Sequence, residues 1–493
     1  MRNWTPEQIA SVAGAQLIAA PGSAGAPRSA APASDGGPQR AGPARNGASP
    51  AGPERVVIDS RQAGPGTLFV GLRGQSADGG QFARAALAAG AWGVLTSADH
   101  ARAAAEHARA SAGHAVRRAP GSTPSGVLLA TDDPLAALQR LAAAWRAALG
   151  ARVIGITGST GKTSTKDLIN AVLSPHRRTV ASRANFNTEI GLPLEILAAP
   201  AGTEVLVLEM GMRGTGQIAE LAAIAQPDVA VIVSVGPVHL ELLGTVEAVA
   251  AAKAELIAGL PAGGTAVIPA DEPLLAPYLR DDVTIVTFAD DGDVQLLASE
   301  PDYVEIGLRG RRLRLALAFT QAHLRRDLLA AVAAADAVGV TPSGRLELAL
   351  TPGRGQRVSL PDGVTLIDDC YNANPMSMRA ALDDLTRTAA QAPHGRRVAI
   401  LGDMLELGPG ERDYHVELGR HLDEVGVDVL VTVGPLAEAI ADGYRGEIHA
   451  VEDATQAAAI APRLLARDDF VLVKGSRGVG LELVCRALGG GGR

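Results

Sequence analysis

The sequence predicts an α/β protein of three domains, and three observations lead to that prediction. At about 150 residues per domain, a chain of 493 residues is too long for one hydrophobic core. Short apolar strands alternate with helices along most of the chain, which is typical of parallel sheets covered by helices on both faces. A turn of small residues, GSTG at 158–161, separates an apolar strand from a helix. Such a turn favours a phosphate-binding fold.

Composition and charge narrow the class of protein. Hydrophobic residues make up 47% of the chain and charged residues 20%, which indicates a globular rather than a disordered protein. There are 45 Lys and Arg against 53 Asp and Glu, with no basic block, so we expect no nucleic-acid partner. Two cysteines, Cys370 and Cys485, are too few for a disulfide framework. The N-terminus lacks the apolar core of a signal peptide, and no apolar run is long enough to span a membrane. We therefore expect a soluble cytoplasmic protein with no membrane insertion.

The first predicted domain, residues 1–140, is a small α/β unit. TLFVGLRG at 67–74 predicts a strand, and QFARAALAAGA at 81–91 predicts a helix. Residues 20–55 are almost all Ala, Gly, Pro, Ser and Arg without apolar periodicity, which predicts a disordered insert. Asp59-Ser60-Arg61 precedes the strand, and Arg61 is a candidate for pairing with a phosphate. On its own, this three-residue motif is weak evidence for a phosphate-binding site.

A helix from Leu138 to Leu149 leads into the second predicted domain, residues 141–344, and a third covers residues 345–488. In the second domain, four apolar segments with helices between them predict a parallel sheet: RVIGIT (152–157), VLVLEM (205–210), VAVIVSV (229–235) and TAVIPA (265–270). In the third, four more predict a doubly wound, Rossmann-like sheet: TLIDD (365–369), RVAILGDM (397–404), VDVLVTVG (427–434) and FVLVKGS (470–476). Residues 489–493 are predicted to be a flexible tail.

The turn after residues 152–157 is a candidate phosphate loop with unusual spacing. The common pattern is Gly, four residues, then Gly-Lys-Ser/Thr, which would require glycine where the chain has Ile156. Backbone N–H groups and the positive dipole end at the start of the next helix favour a phosphate. Lys162 would reach the β and γ oxygens, and the Thr163 hydroxyl would ligate Mg²⁺. The alternative is a tight turn without a ligand, but Lys-Thr directly after the glycines favours phosphate binding.

Polar side chains follow other predicted strands, at the edge where open α/β sheets bind ligands. Glu209 ends one strand and is a candidate Mg²⁺ ligand, because Mg²⁺ prefers oxygen ligands. His239, in GPVHLELLG at 236–244, follows the next strand. A solvated acid and a structural histidine remain the alternatives for these two. Lys253, on the predicted helix 246–260, would alone be read as a solvated lysine.

The third domain carries three further polar loops, each directly after a strand: DDCYNANPMSMRAAL (368–382), GDMLELG (402–408) and KGSRGVGLE (474–482). In the first of these loops, Asn372 and Asn374 indicate a turn in the chain, and Ser377 is a candidate cap for the following helix. Lys474 and Arg477, in the last, are candidates for binding a carboxylate or phosphate. A loop-capping role is the alternative for any one of the first group.

Taken in chain order, these segments resemble the Mur ligase superfamily of ATP-dependent enzymes that form amide bonds. TGSTGKTSTK matches the family's own phosphate loop, which has this short spacing. The resemblance runs from Asp59 to Glu482 and is most specific in six segments: NFNTEIGLPLEIL (185–197), EMGMRGTGQIAEL (209–221), PVHLELLGTVEAVAAAK (237–253), DDCYNANPMSMRAAL, LGDMLELG and VKGSR. YNANP and GDMLELG distinguish the chain from relatives that add glutamate to folate or an earlier amino acid to the peptide stem.

The resemblance implies an activity and its reactants. The small N-terminal domain would hold a UDP-sugar, the central domain would bind ATP, and the C-terminal domain would bind an incoming dipeptide. The terminal carboxylate of UDP-N-acetylmuramoyl-tripeptide would attack the γ-phosphate of ATP, and the amine of D-alanyl-D-alanine would displace phosphate from the resulting acyl phosphate. Catalysis would be mainly electrostatic, with Mg²⁺ as the metal cofactor. A monomer is expected.

The resemblance also implies roles for individual residues. The phosphate loop would consist of Gly158, Ser159, Thr160, Gly161, Lys162, Thr163 and Ser164. Thr163 and Glu209 would hold one Mg²⁺ and His239 a second, while Lys253 matches a lysine that is carbamylated in several relatives. Lys162, Glu209, His239 and Lys253 would together form the catalytic set. Binding roles follow for the remaining positions: Arg354 and Asp369 at the nucleotide, Asn372 and Asn374 closing the acceptor site, Lys474 and Arg477 at the substrate, and Ser60 and Arg61 near the uridine diphosphate.

The chain departs from the family pattern at a few positions. Gly80 replaces a usual His, Ser234 replaces a common Asn, and HLRRD at 323–327 has Leu324 and Asp327 where Asn is common. These departures leave the phosphate and metal groups intact.

Two alternatives remain open for the function: a ligase of the same superfamily with another acceptor, and a non-catalytic homologue that binds the UDP-sugar peptide. The presence of Lys162, Glu209 and His239 favours catalysis, and the third α/β domain argues against a simple phosphate-loop kinase or GTPase.

Overall fold

The structure, a computed structural model, describes residues 1, 3–18, 52–114, 126–183, 185–390 and 395–489. Most of the predicted insert at 20–55 and most of the predicted tail at 489–493 therefore lie outside the described residues. At the end of the insert the structure differs from the predicted boundary, because Gly52 and Pro53 are buried and Arg55 opens a strand.

The described chain forms two compact units. The first consists of residues 1–151 and 189–202, and the second of residues 152–188 and 203–493. The second unit contains two separate sheets. The predicted division into domains at 1–140, 141–344 and 345–488 stays a prediction.

The first unit is built on a five-stranded sheet in the order β1-β5-β4-β3-β2, parallel except for the β1–β5 pair. Its strands are β1 Gln16–Ile18, β2 Arg55–Val57, β3 Thr67–Val70, β4 Gly93–Ser97 and β5 Val127–Thr131. Its helices are α1 Pro6–Ala13, α2 Ala83–Ala88, α3 Ala98–His114, α4 Pro134–Leu149 and α6 Gly191–Ala198. Phe69, Val94 and Leu128 lie in its apolar core. The strand and helix predicted at 67–74 and 81–91 are present but shorter.

The first sheet of the second unit has ten strands in the order β15-β14-β13-β12-β11-β10-β9-β6-β8-β7. Its strands are β6 Arg152–Thr157, β7 Thr179–Ala181, β8 Val205–Glu209, β9 Val229–Ile232, β10 Thr265–Pro269, β11 Thr284–Phe288, β12 Val294–Ser299, β13 Tyr303–Leu308, β14 Arg311–Leu317 and β15 Gly344–Leu346. Its helices are α5 Lys162–Leu173, α7 Gln217–Ala225, α8 Leu240–Leu243, α9 Val246–Ala258 and α10 Ala322–Ala337. The sheet is parallel from β7 to β12, as the sequence predicts, but β12–β13–β14 form an antiparallel extension that it does not predict.

The second sheet of this unit has six strands in the order β16-β17-β21-β18-β19-β20, parallel except for β16. Its strands are β16 Gln356–Ser359, β17 Thr365–Asp368, β18 Arg397–Gly402, β19 Val429–Val433, β20 Glu447–Val451 and β21 Phe470–Lys474. Its helices are α11 Pro375–Ala389, α12 Glu411–Val425, α13 Ala454–Leu464 and α14 Glu482–Ala487. Separate apolar cores cover its two faces, which confirms the doubly wound arrangement.

Strand ends in the second unit bring the polar loops of the sequence to the edges of the two sheets. Parallel strands end at the same edge, so the loops after β6, β8 and β9 are neighbours. None of the helices in the described part of the chain has the length and hydrophobicity that a membrane span requires.

Candidate active site

The turn between β6 and α5 has the geometry of a phosphate loop. Helix α5 begins at Lys162, and Gly161 before it takes the left-handed conformation with φ +79°. A Cβ atom at Gly161 would lie 2.8 Å from both an Asp327 carboxylate oxygen and a Val233 methyl group. Glycine is therefore required here by both backbone conformation and space.

Hydrogen bonds hold this loop on the side of β9. The Thr160 amide donates to Ser234 Oγ at 2.9 Å, and that hydroxyl donates back to the Thr160 carbonyl at 3.0 Å. The Ser159 amide donates to the Ser234 carbonyl at 3.0 Å. Ser234 departs from the family pattern, but the structure makes it the residue that fixes the loop's backbone.

Asn374, from the other sheet of the same unit, also reaches the loop. Its Nδ2 donates to the Ser159 carbonyl at 3.1 Å, and its Oδ1 accepts from the Ser377 amide at 2.9 Å. Asn374 is thus the cap of α11, in a reciprocal capping box with Ser377. The prediction that Ser377 is the cap is wrong, because Ser377 lies inside the first turn.

Thr163 and Glu209 meet directly beneath the loop. The Thr163 hydroxyl donates to Glu209 Oε2 at 2.9 Å, and Asn187 Nδ2 donates to Glu209 Oε1 at 2.9 Å. The Thr163 and Glu209 side chains are both buried. Two hard oxygen donors therefore converge here, and the donor set suits Mg²⁺. Asn187 was not singled out from the sequence, although the segment containing it, NFNTEIGL, was.

Lys162 folds back over its own loop and donates to the Gly158 carbonyl at 2.7 Å. Burial lowers the pKa of its amine, the Glu209 charge opposes that shift, and the Arg354 charge adds to it. The charge of Arg354 thus lies close enough to act on the Lys162 amine. Among the described residues, the hydrogen bond of this amine goes to a neutral carbonyl, so a bound anion could replace that carbonyl as its partner.

Lys253, on α9, is 2% exposed, so its interpretation as a solvated lysine is wrong. Burial first, and then the charge of Lys162, holds the pKa of its amine well below the usual range. No carboxylate in the described part of the chain opposes these two effects. Burial therefore favours the neutral form of this amine over the charged form.

His239 precedes α8 with the left-handed φ of +54°. Its Nδ1 forms a short hydrogen bond with Glu406 Oε2, and Arg213 Nη2 lies 3.4 Å from Glu406 Oε1. Burial lowers the pKa of the His239 imidazole, although Glu406 opposes that shift. Glu406 lies in the GDMLELG segment, which the sequence marks as characteristic without indicating its partner.

The loop after β17 gathers the remaining predicted residues of the second unit. Lys474 Nζ lies 2.7 Å from Asp369 Oδ2 and donates to the Asn372 carbonyl at 2.9 Å. The guanidinium groups of Arg354 and Arg477 lie 4.0 and 5.0 Å from the centroid of the Tyr371 ring. In the described residues, the buried Arg354 Nε has no hydrogen-bond partner. The structure thus groups Arg354, Asp369, Asn372, Lys474 and Arg477 around one loop.

Ser60 and Arg61 belong to the first unit, in a single helical turn after β2. Arg61 is exposed and forms a two-pronged ion pair with Asp59, with Nη2 at 2.7 Å from Oδ2.

Gly80, where the family usually has His, lies in crowded surroundings. A Cβ atom there would lie 2.5 Å from the His100 ring and 2.6 Å from the Thr96 hydroxyl, so no side chain fits.

Two other residues, one polar and one apolar, have mainly structural surroundings. His415 is buried, donates from Nδ1 to the Glu411 carbonyl at 2.6 Å, and accepts at Nε2 from the Met404 amide at 3.0 Å. Leu324, at a departure from the family pattern, is fully buried in the core of the ten-stranded sheet. Neither side chain is available to a ligand.

Asp327 is a second departure from the family pattern that lies against the phosphate loop. It lies on α10, is 6% exposed, and faces Gly161. Burial raises its pKa to about 8, although the charge of Arg326 opposes that shift. At neutral pH the group is therefore a protonated carboxylic acid, which resembles the amide of asparagine in shape and in carrying both a donor and an acceptor.

Fold and site together define a nucleotide-binding α/β protein whose phosphate loop is completed by a second, doubly wound sheet. Three family models match in chain order: "Mur ligase family, catalytic domain" over residues 54–146, "Mur ligase middle domain" over 156–335, and "Mur ligase, glutamate ligase domain" over 353–477. The chain belongs to the Mur ligase family.

Curated relatives and solved structures agree with this assignment. The chain is 34% identical to UDP-N-acetylmuramoyl-tripeptide–D-alanyl-D-alanine ligase of Bacillus subtilis, covering 88% of this chain and 92% of the relative. It is 36% identical to the enzyme of that name from Mycobacterium tuberculosis H37Rv, covering 88% and 91%. Its fold matches MurF from Acinetobacter baumannii with a TM-score of 0.74 at 28% identity, covering 88% of this chain and 93% of that one. MurF from Thermotoga maritima in complex with ADP matches with a TM-score of 0.73 at 28% identity, covering 88% and 96%.

The raised pKa of Asp327 makes the stability of the folded chain depend on pH. A carboxyl group with a raised native pKa binds more protons in the folded than in the unfolded state, so its contribution to stability falls as pH rises toward 8. Asp327→Asn cannot ionise. We expect the stability of Asp327→Asn relative to the native chain to rise between pH 6 and 8, by at most about 3 kcal/mol, and to level off above pH 8.

Urea denaturation at several pH values measures this difference. Asp302→Asn, which changes an exposed acid near the same sheet, is the matched control and should show no such trend. A constant difference between Asp327→Asn and the native chain across that pH range would contradict a protonated Asp327.

Proposed function

We propose that the chain is an ATP-dependent ligase that joins D-alanyl-D-alanine to UDP-N-acetylmuramoyl-tripeptide, in the cytoplasmic stage of peptidoglycan synthesis. The observation that carries the proposal is the phosphate loop itself. It is held by Ser234 on one side and by Asn374 on the other, with Lys162 above it and Glu209 below. Relatives that carry this activity in their names match about nine tenths of the chain.

The main physical difficulty of the reaction is that an anionic carboxylate must approach an anionic phosphate. Cationic side chains near the loop would reduce that repulsion, and they would act most strongly on charge that develops in the transition state. Lys162 would exchange its bond with the Gly158 carbonyl for one with a phosphate oxygen. Arg354 and Asp369 would bind the nucleotide, with Gly158, Ser159, Thr160, Gly161, Thr163 and Ser164 around the triphosphate.

The residues beneath the loop fit a divalent cation. Thr163 and Glu209 present buried oxygen atoms 2.9 Å apart, and His239 offers the nitrogen that Glu406 leaves free. We assign Thr163 and Glu209 to one Mg²⁺ and His239 to a second. When bound, Mg²⁺ would neutralise charge on the transferred phosphoryl group.

We assign the remaining predicted residues to the two other substrates. Asn372, Asn374, Lys474 and Arg477 would bind the peptide and dipeptide, in a C-terminal domain at 345–488. Ser60 and Arg61 would lie near the uridine diphosphate, in an N-terminal domain at 1–140, and residues 141–344 would bind ATP. We further propose a cytoplasmic monomer, a localisation that fits the two free, buried cysteines.

The direct test is phosphate release from ATP with UDP-N-acetylmuramoyl-tripeptide, with and without D-alanyl-D-alanine. We expect a pentapeptide product only when all three substrates are present. Lys162→Ala should lower kcat by at least about 100-fold, since it removes a charge that acts on the transition state, with the fold retained. Product formation with other dipeptides alone would support a different acceptor, and binding without turnover would support a non-catalytic homologue.

We propose that Lys253 is carbamylated in the active enzyme. The reaction joins the neutral amine to CO₂ and releases one proton, and the lowered pKa of Lys253 supplies that neutral amine. The resulting anion would lie among cations and metal ions that favour it. We expect native enzyme depleted of CO₂ to lose activity and to regain it with bicarbonate.

Lys253→Met distinguishes a carbamylated Lys253 that is needed for activity from a lysine with a structural role. Burial holds the pKa of an unmodified Lys253 below its value in the unfolded chain. The folded chain then binds fewer protons than the unfolded chain, so Lys253 lowers stability increasingly as pH falls. Lys253→Met should therefore be more stable than the native chain in CO₂-free buffer, by more at pH 6 than at pH 9, and yet inactive with or without bicarbonate. Full activity of Lys253→Arg, which cannot form this carbamate, would contradict the proposal.

A further inference from the structure

Glu406 connects three loops of the second unit. Its carboxylate contacts His239, in the loop after β9, and Arg213, in the loop after β8. Its backbone carbonyl accepts a hydrogen bond from the Glu241 amide at 3.3 Å. Glu406 itself follows β18, in the other sheet. One residue of the six-stranded sheet is thus bound to two strand-end loops of the ten-stranded sheet.

The contact determines which nitrogen of His239 carries a proton. An ionised carboxylate can only accept hydrogen bonds, so the bond to Glu406 places the proton on Nδ1. The lone pair of Nε2 is then available, and in the described part of the chain no hydrogen bond to Nε2 is found. A histidine that binds a metal through one nitrogen commonly donates from the other to a carboxylate.

The backbones on both sides of this contact are unusual. His239 has φ +54° and Glu406 has φ +64°, a region that side-chain-bearing residues rarely adopt. Such conformations persist where the surrounding structure enforces them, and they cluster at functional sites. Both residues take this conformation at the one point where their side chains meet.

We propose that Glu406 is a positioning residue that holds His239 in the tautomer and orientation needed to bind the second divalent cation. This inference rests on the proposed function, because it takes His239 as a metal ligand. It adds that the metal site is complete only when the loop after β18 is in place. Metal binding and the placement of that loop are therefore coupled.

The alternative is an ion pair that only fastens the two loops together. Such a pair, with side chains 25% and 37% exposed, would contribute little to stability. Its removal would change how the loops move without a specific effect on metal affinity. Measuring metal affinity separately from turnover distinguishes the two roles.

The experiment titrates Mn²⁺ into the full chain with β,γ-methylene-ATP and follows bound metal by electron paramagnetic resonance. Wild type should bind two Mn²⁺ ions. Glu406→Ala should weaken one site by about 10- to 100-fold, the range typical of lost carboxylate partners of metal-binding histidines. Glu406→Gln keeps an oxygen that accepts from Nδ1, so it should recover most of that affinity. The matched control is Glu438→Ala, which removes an exposed carboxylate from the same sheet's surroundings and should change neither site.

Equal Mn²⁺ affinities in wild type and folded Glu406→Ala would overturn the proposal, as would a single Mn²⁺ site in wild type. A failure of the proposed function has a different signature. Two Mn²⁺ sites with the expected Glu406 effect, but no peptide product in the ligase assay, would reject the substrates and retain the role of Glu406.

Discussion

Positive charge gathered around the phosphate loop is the constraint on which the rest of the site depends. The charge of Lys162 reaches the Lys253 amine, and burial lowers the pKa of both groups. Arg354 adds further positive charge beside Lys162. Such groups would be more stable in water than in the folded chain. A bound polyanion relieves that cost, so the arrangement favours triphosphate binding over any structural use.

The two sheets of the second unit contribute to this site in different ways. Strands β6, β8 and β9 place Lys162, Glu209 and His239 at one edge, as expected for a parallel sheet. The six-stranded sheet adds contacts to these loops: Asn374 binds the Ser159 carbonyl, and Glu406 binds His239. The ten-stranded sheet therefore supplies Lys162, Glu209 and His239, and the other sheet supplies contacts to their loops.

Much of the fold and of the candidate site could be predicted from the sequence. The predictions that failed did so for physical reasons. Strand β6 was predicted to the residue, because an apolar run lies between clear turn signals. Strands β12 to β14 were missed, since an antiparallel edge lacks the helices that separate parallel strands. Motifs identified the loops of the site, but not the partners of Asn187, Lys253 and Glu406. These contacts depend on which loops the fold brings together. The spacing of residues along the chain does not indicate which loops those are.

The fate of oxygen in the substrate carboxylate shows most directly whether a phosphoryl group is transferred to it at this site. The tripeptide carboxylate of UDP-N-acetylmuramoyl-tripeptide would be labelled with ¹⁸O and the released phosphate analysed by mass spectrometry. If the cationic loop brings the carboxylate to the γ-phosphate, as an acyl phosphate requires, one ¹⁸O atom appears in each phosphate formed with product. Unlabelled phosphate, accompanied by full formation of the amide, would contradict phosphoryl transfer to the carboxylate at this site.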